Sequence, residues 1–389
     1  MSDIQKTDVC IVGAGPSGTA TSIMLSNLKI HHCIVDKAVF PRDKTCGDGL
    51  ILYAYKSMKL LGEDLFDQFR KSPNFLHSKE IKLHVNDQLH INFQESEDRD
   101  MVISYARRID FDHFLVKHIS DNYATKYFGN GVKNLKTTSE GVLVSLKDGK
   151  EILAKFVVGA DGVQSVVARK LANYKPIRKR ASTFVSAYFK NVSLMPKNHQ
   201  AEIRIVYKKM PLFFYIFPLA DGQVNVSLGG RADRIKKYDI NLISELESIL
   251  STHKKVKGRF DNAVKTSPWR GWSIPFHFGH QKIVGDRFLL VGDAAGLANA
   301  FYKEGVGTGM MSGILAAKNI QKLLSSGDFS ASSLSAYEAD LKDEFGKLLL
   351  FSRFALRLTK LKSVFSAVVS LTKYRVERKS FQMIKKRSY

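Results

Sequence analysis

Cysteine is scarce in this chain: Cys10, Cys33 and Cys46 are the three in 389 residues. Three cannot build a disulfide framework, and their spacing matches no thiolate metal cluster, so no metal site is expected. Cys10 and Cys33 fall inside apolar runs that read as buried strands, where a thiol serves as a small hydrophobe. Long apolar runs are missing too. None approaches the roughly 18 residues of a membrane-spanning helix. The first apolar run opens at Asp8, leaving no room for a secretory signal. The expected location is the cytoplasm and, from the tail described below, the face of a membrane.

Acidic residues are also in short supply. Asp and Glu number 37 against 60 Lys and Arg, a formal charge of +23. The excess is uneven: from Lys347 to Tyr389 there are twelve basic residues and one acid, Glu377. Such a segment favours a polyanion, an anionic membrane or an acidic partner. Disorder is not expected, because 44% apolar and 25% charged residues are ordinary for a folded protein. The length exceeds one simple core and implies two or three domains.

What is present begins with a short unit. Asp8 to Val12 is an apolar strand ending at Gly13-Ala14-Gly15-Pro16-Ser17-Gly18. A helical pattern follows from Thr19 to Leu28, then a second strand from His32 to Asp36. Gly-x-Gly-x-x-Gly between a strand and a helix is the dinucleotide fingerprint. Glycine lets the chain turn tightly, lets a pyrophosphate approach the backbone and lets helix pack on strand, while the helix N-terminus faces the phosphates. Asp36, 18 residues past Gly18, is placed to accept hydrogen bonds from adenosine ribose hydroxyls.

Further along, Phe40 to Leu50 reads as a loop, and Lys79 to Phe93 as a hairpin around Asn86-Asp87. Ile109 to Asn122 reads as a helix, and Val132 to Val158 as short strands with a turn at Lys147-Asp148-Gly149. Phe184 to Leu228 is strand-rich, with turn signals at Pro211 and Asp221-Gly222. Ile240 to His253 and Lys303 to Leu324 are helical, with a strand at Phe288 to Val291 between them. A serine-rich linker, Ser325 to Ser335, leads into helical sequence. There is no internal repeat.

Four later segments stand in order: Pro41-Arg42-Asp43-Lys44-Thr45-Cys46-Gly47-Asp48-Gly49; Arg108-x-x-Phe111-Asp112; Gly159-Ala160-Asp161-Gly162-x-x-Ser165; and Gly292-Asp293-Ala294-Ala295-Gly296. With the fingerprint, this order resembles the FAD-dependent flavoproteins of the para-hydroxybenzoate hydroxylase fold. The Pro-Arg-x-Lys-x-Cys-Gly loop and Phe217-Pro218-x-x-Asp221-Gly222-x-Val224-Asn225-Val226 resemble the geranylgeranyl reductase family within it. The resemblance spans roughly residues 7 to 325.

The resemblance implies an α/β fold. A Rossmann-type FAD-binding domain is expected over 1–75, 100–172 and 272–325, with an inserted, mostly antiparallel β substrate domain over 76–99 and 173–271. A basic helical region over 326–389 follows. It implies FAD contacts at Gly13, Ala14, Gly15, Ser17, Gly18, Asp36, Lys37, Arg42, Cys46, Gly47, Arg108 (or its neighbour Arg107), Asp161, Asp293, Gly305 and Val306. Asp293 would meet the ribityl hydroxyls or serve as a helix cap. Asp161 would link flavin and nicotinamide sides, or cap a helix. Cys46 and Glu304 are the flavin-proximal catalytic candidates, although no base is visibly paired with Cys46.

The implied activity is reduction of carbon–carbon double bonds in a small apolar substrate, prenyl or related lipid, with NAD(P)H or another reductant as electron donor. Two departures bear on this. The family run Asn-Pro-x-x-Gly-Glu-Gly is here Asn299-Ala300-Phe301-Tyr302-Lys303-Glu304-Gly305. Trp269-Arg270-Gly271-Trp272-Ser273-Ile274-Pro275 resembles the tryptophan signature of flavin-dependent halogenases, with its first tryptophan replaced by Arg270. Trp272 reads more simply as part of a strand entering the flavin domain. A flavin-dependent monooxygenase or halogenase is the alternative, and a non-catalytic flavin scaffold a further one. A nucleic-acid-binding role would leave the flavin motifs without purpose, so no nucleic acid partner is expected.

In the tail, Phe351, Phe354, Leu358, Leu361, Phe365 and Val368 recur at helical spacing, with Arg353, Arg357, Lys360 and Lys362 among them. A basic amphipathic helix of this kind suits an anionic membrane surface. An ordinary helix covering the core accounts for the same spacing.

Overall fold

The computed structural model describes residues 4–85, 89–94, 103–175, 177–195 and 199–370. Side chains of 89–94 and 178 are not part of that description. The first strand, Gln5–Val12, pairs in parallel with His32–Asp36 on one side and Glu151–Gly159 on the other. Ala124–Phe128 extends the sheet beyond His32–Asp36, and Phe288–Leu290 extends it beyond Glu151–Gly159, both in parallel. The hairpin of Val132–Thr137 and Val142–Leu146 continues antiparallel into Glu151–Gly159. Cys10 and Cys33 are buried, neighbouring partners in this sheet. Buried strands with few polar residues are what a parallel sheet covered on both faces requires.

Helix Pro16–Asn27 lies along the sheet, and helix Val306–Ser326 packs on it. The close approach depends on glycine. A Cβ on Gly313 would stand 2.4 Å from Ser17 O, and one on Gly307 would stand 2.4 Å from the backbone of Ala54. Ala54 lies in Leu52–Leu61, a helix that the sequence patterning did not signal.

The second large sheet is antiparallel apart from one pair. Ala181–Lys190, Val224–Arg231, Pro211–Pro218 and Ala201–Tyr207 are neighbours in that order. Ala201–Tyr207 then runs parallel to Glu80–Val85, the first arm of the expected hairpin. Residues 86–88, the centre of that hairpin, lie outside the described residues. A boundary expected at 272 moves. Arg270–Pro275 pairs with Ala181–Ser186 from end to end, so Trp272 belongs to the antiparallel sheet, and the chain returns to the flavin domain only after Pro275. Stacking of Trp272 on Phe184, with ring centroids 5.4 Å apart, fixes it there.

The C-terminal region is less separate than its composition suggests. Helix Ser335–Leu358 buries Tyr337, Leu341, Phe345 and Leu349 in the core of the flavin domain. A turn at 359–361 then redirects the chain into a further helical stretch over 362–370. Leu356, Phe365 and Val369 join the core beneath the antiparallel sheet. The expected single apolar stripe is therefore split. Leu358 and Phe365 point inward, whereas Leu350, Phe351, Phe354, Leu361, Val364 and Val368 are exposed. No helix among the described residues is long and apolar enough to cross a membrane.

Candidate active site

One cavity of about 1530 Å³ runs from the first glycine turn to the face of the antiparallel sheet. It collects residues from every segment singled out in the sequence. Gly13, Gly15, Ser17, Asp36, Lys37, Arg42, Cys46, Gly47, Arg108, Asp161, Asp293, Glu304, Gly305 and Val306 all line it. Ala14 and Gly18 do not. Ala14 is buried behind the turn and donates its N–H to Asp36 Oδ2 at 2.7 Å. Gly18 packs so tightly that a Cβ would fall 1.8 Å from Gly13 O.

The turn is shaped for a ligand that touches backbone. Gly13 takes a φ of +104°, and a Cβ there would stand 2.5 Å from Ala160 O. Gly15 differs. Its φ of −73° suits any residue, and the nearest atom to an added Cβ is Arg42 Nη2 at 3.6 Å. Open space faces Gly15 at the N-terminus of helix Pro16–Asn27, where backbone N–H groups favour phosphate. Asp36 accepts from Ala14 N and Ala38 N at 2.7 and 2.8 Å. It therefore braces the turn, and each oxygen keeps a lone pair for a ribose hydroxyl.

The two neighbouring arginines point to different places. Arg108 lines the cavity and grips the buried Asp112 with two bonds, at 2.6 and 2.7 Å. Arg42 joins the same carboxylate at 3.0 Å. Arg107 turns away, stacks on Tyr188 and pairs with Asp221 at 2.8 Å.

Asp293 opens the short helical turn Gly292–Ala295, yet no side chain caps that turn. Its carboxylate faces the cavity, and burial raises its pKa to about 6 against the pull of Lys44 and Arg108. A solvent-poor carboxylate without a cap to serve fits the binding of ribityl hydroxyls. Asp161 braces the start of helix Val166–Leu171, whose N-cap is Ser165. Its Oδ2 accepts from Val166 N and Val167 N at 2.5 and 3.3 Å, while Oδ1 has no partner. Glu304 accepts from Gly307 N at the start of helix Val306–Ser326, and burial lifts its pKa to about 7.

Burial pushes the Cys46 thiol up, the reverse of what a nucleophile needs, although Arg108 opposes the shift. Its loop is tied instead through Asp48. Asp48 is fully buried at a φ of +65°, and burial raises its pKa to about 7. Tyr188 Oη and Asn225 Nδ2 donate to its Oδ2 at 2.8 and 2.7 Å, and Asn225 also donates to Cys46 O at 2.9 Å. The two sequence signatures, loop and Asn-bearing strand, are thus the two halves of one hydrogen-bonded joint. The sequence reading did not single out Asp48 or Tyr188.

The chain matches the FAD binding domain family over residues 6–350. The chain belongs to the FAD-binding domain family. It is 25% identical over 367 residues to digeranylgeranylglycerophospholipid reductase 2 of Methanopyrus kandleri, covering 92% of this chain and 87% of that one. A geranylgeranyl bacteriochlorophyll reductase-like protein of Thermoplasma acidophilum has the same fold, with TM-score 0.83, 18% identity, and 95% and 92% of the two chains covered. A flavin-dependent brominase also shares it, with TM-score 0.77, 19% identity, and 96% and 93% covered. This FAD-dependent oxidoreductase thus carries the geranylgeranyl reductase resemblance on a fold that also supports halogenation.

Lys303, in place of the family glycine, also lines the cavity. It keeps a φ of +62°, a conformation costly for a residue with a side chain. Its Nζ donates to Ser182 Oγ at 3.0 Å and to Ala300 O, and lies 4.8 Å from the centre of the Phe213 ring. Burial, aided by Arg231, lowers its pKa to about 7.

Proposed function

We propose that this flavoprotein reduces carbon–carbon double bonds of an apolar, prenyl-like lipid, drawing electrons from NAD(P)H or another reductant. The shape of the cavity carries the reading. Single-ligand pockets run to roughly 1,000 Å³, and about 1530 Å³ leaves room for a second ligand beside a dinucleotide. The wall facing that room is apolar and aromatic, built from Leu83, Ile103, Phe213, Tyr215 and Phe217. Flavin, when bound, supplies the redox chemistry. The chain's own residues orient the lipid, exclude water and, at Lys303 Nζ, hold a proton that is released near neutral pH.

A membrane face is the second part of the reading. Exposed Leu350, Phe351 and Phe354 lie on one side of the last long helix, Leu361 lies in the turn, and Val364 and Val368 follow after it. Phe351 also borders the large cavity, so the patch adjoins a route to it. Apolar patches rimmed by basic residues suit an anionic bilayer.

The deciding experiment reduces the holoprotein anaerobically with NADPH or NADH and adds a geranylgeranyl lipid. Flavin reoxidation without oxygen, with a product heavier by two hydrogens per bond, is the expected result. Reoxidation only by oxygen, with a hydroxylated or halogenated product, overturns the reading in favour of a monooxygenase or halogenase.

A further inference from the structure

Beside the cavity mouth, three arginines from distant parts of the sequence come together. Arg180 immediately precedes strand Ala181–Lys190, and Arg353 and Arg357 occupy successive turns of helix Ser335–Leu358. Arg353 is fixed by donating Nη2 to Phe278 O at 2.5 Å, and its buried Nε has no partner. Among the described residues, none of the three has a carboxylate partner. The nearby Asp233 is already engaged by Arg231, at 2.7 and 2.9 Å. Burial lowers the pKa of Arg180 and of Arg353, and like charges add to it: Arg357 and Arg231 repel Arg180, and Arg180 and Arg357 repel Arg353. Lys360 is held down in the same way by burial, Arg231, Arg234 and Arg357.

The arginines also line space. One cavity of about 660 Å³ lies between Arg180, Arg353, Arg357, Leu350 and Phe354. Another of about 390 Å³ adds Arg231 and Lys179. Arg180 borders both, and borders the large cavity as well. Gathering cations without counter-charge is unfavourable unless an anion joins them. Guanidinium groups match tetrahedral oxyanions, which accept paired N–H donors.

We infer that Arg180, Arg353 and Arg357 form a phosphate-binding site for the headgroup of an amphiphile whose apolar part lies against Leu350, Phe351 and Phe354 or enters the large cavity. The anion site stands on the arginines alone; only the source of the phosphate, a lipid, rests on the proposed function.

Calorimetric titration of the oxidised holoprotein tests this without turnover, so a failed reductase assay would not affect it. The probes are inorganic phosphate, monomeric dihexanoyl phosphatidic acid and uncharged dihexanoylglycerol. The short-chain phosphatidic acid is expected to bind more tightly than either of the others. Arg180→Gln and Arg357→Gln should each weaken it about tenfold, as loss of a charge-assisted hydrogen bond does. Arg357 is exposed, so its substitution leaves the fold intact even if Arg180→Gln does not. Lys254→Gln, on a distant exposed residue, should change nothing. Inorganic phosphate binding as tightly as the lipid, still lost in the arginine variants, keeps the site but assigns it to small phosphate compounds. The inference fails if neither phosphate probe binds. It fails equally if dihexanoylglycerol matches phosphatidic acid, if Arg357→Gln binds normally, or if Lys254→Gln loses as much.

Discussion

Asn225 donates its side-chain amide to the buried carboxylate of Asp48 at 2.7 Å, joining residues 177 apart in sequence. The bond fastens the Cys46 loop, which borders the cofactor cavity, to the middle of the antiparallel sheet. Ser186 and Ser227 donate in turn to Asn225 Oδ1 at 2.9 and 2.7 Å, so the amide cannot flip without losing partners.

Removing the amide leaves the Asp48 carboxylate short of a donor. Asn225→Ala should destabilise the protein by roughly 1–3 kcal/mol, the penalty for an unsatisfied buried polar group. Denaturant unfolding checks the size. A shifted flavin absorbance spectrum in the folded variant would show that the joint also sets the loop.

Gly15→Val separates folding from cofactor binding. The backbone conformation and the open space at Gly15 accept a side chain, so apoprotein stability should hardly change. Retained FAD should fall to near zero, because the new side chain occupies the place of the pyrophosphate. Yellow, FAD-loaded Gly15→Val protein would contradict the placement of the phosphates.

For Asp293→Ala the expected loss is FAD affinity, by about tenfold or more. No cap bond disappears with the side chain, so apoprotein melting should stay level. Flavin fluorescence titration gives the first quantity, and a thermal melt the second.

Lys303 predicts a pH effect with a definite sign. Its folded pKa, about 7, lies below the unfolded value of roughly 10.4. Between these values the unfolded chain binds more protons, so this residue's contribution to stability rises with pH. The penalty is full below about pH 7 and gone above the unfolded value. Lys303→Met should therefore be more stable than the parent at pH 7, with the gap narrowing toward pH 10. Parallel melting curves across that range would refute a buried, depressed lysine.

Membrane binding is best probed by surface substitution. A chain ending near Lys347 would lose the buried Leu349, Leu356 and Phe365, so truncation would confuse unfolding with loss of a lipid face. Leu350→Glu with Phe354→Glu alters exposed positions only. Sedimentation with anionic vesicles should drop in that variant and fall with salt in the parent, since screening acts over about 10 Å at 0.1 M. Unchanged sedimentation of the variant would remove this patch from the reading.

The flavin half of the site was legible because its constraints are local. A glycine turn between a strand and a helix announces itself within thirty residues, and Asp36 ends the next strand. Asp48 and Asn225 were visible only as parts of two motifs, since nothing in either stretch says that they touch. Lys303 stands out in the sequence as a departure, but the groups that surround it, Phe213 and Ser182, come from other segments. The arginine cluster was illegible because pairing of Arg270–Pro275 with Ala181–Ser186 and docking of the last long helix together create it. Periodicity identified the tail's apolar positions. It could not see the turn at 359–361 that sends Leu358 and Phe365 inward.

The central parallel sheet has a consequence for the order of synthesis. Its strand Phe288–Leu290 leaves the ribosome only after the whole antiparallel sheet of 181–275, yet it pairs with Glu151–Gly159. Helix Val306–Ser326, which seals Pro16–Asn27, emerges later still. A nascent chain of 280 residues thus carries an open sheet edge and an uncovered first helix. Contacts between such remote segments slow folding, and unpaired edges invite aggregation. Productive folding of this flavoprotein is therefore tied to the late emergence of Phe288–Leu290 and Val306–Ser326, long after the glycine turn has left the ribosome.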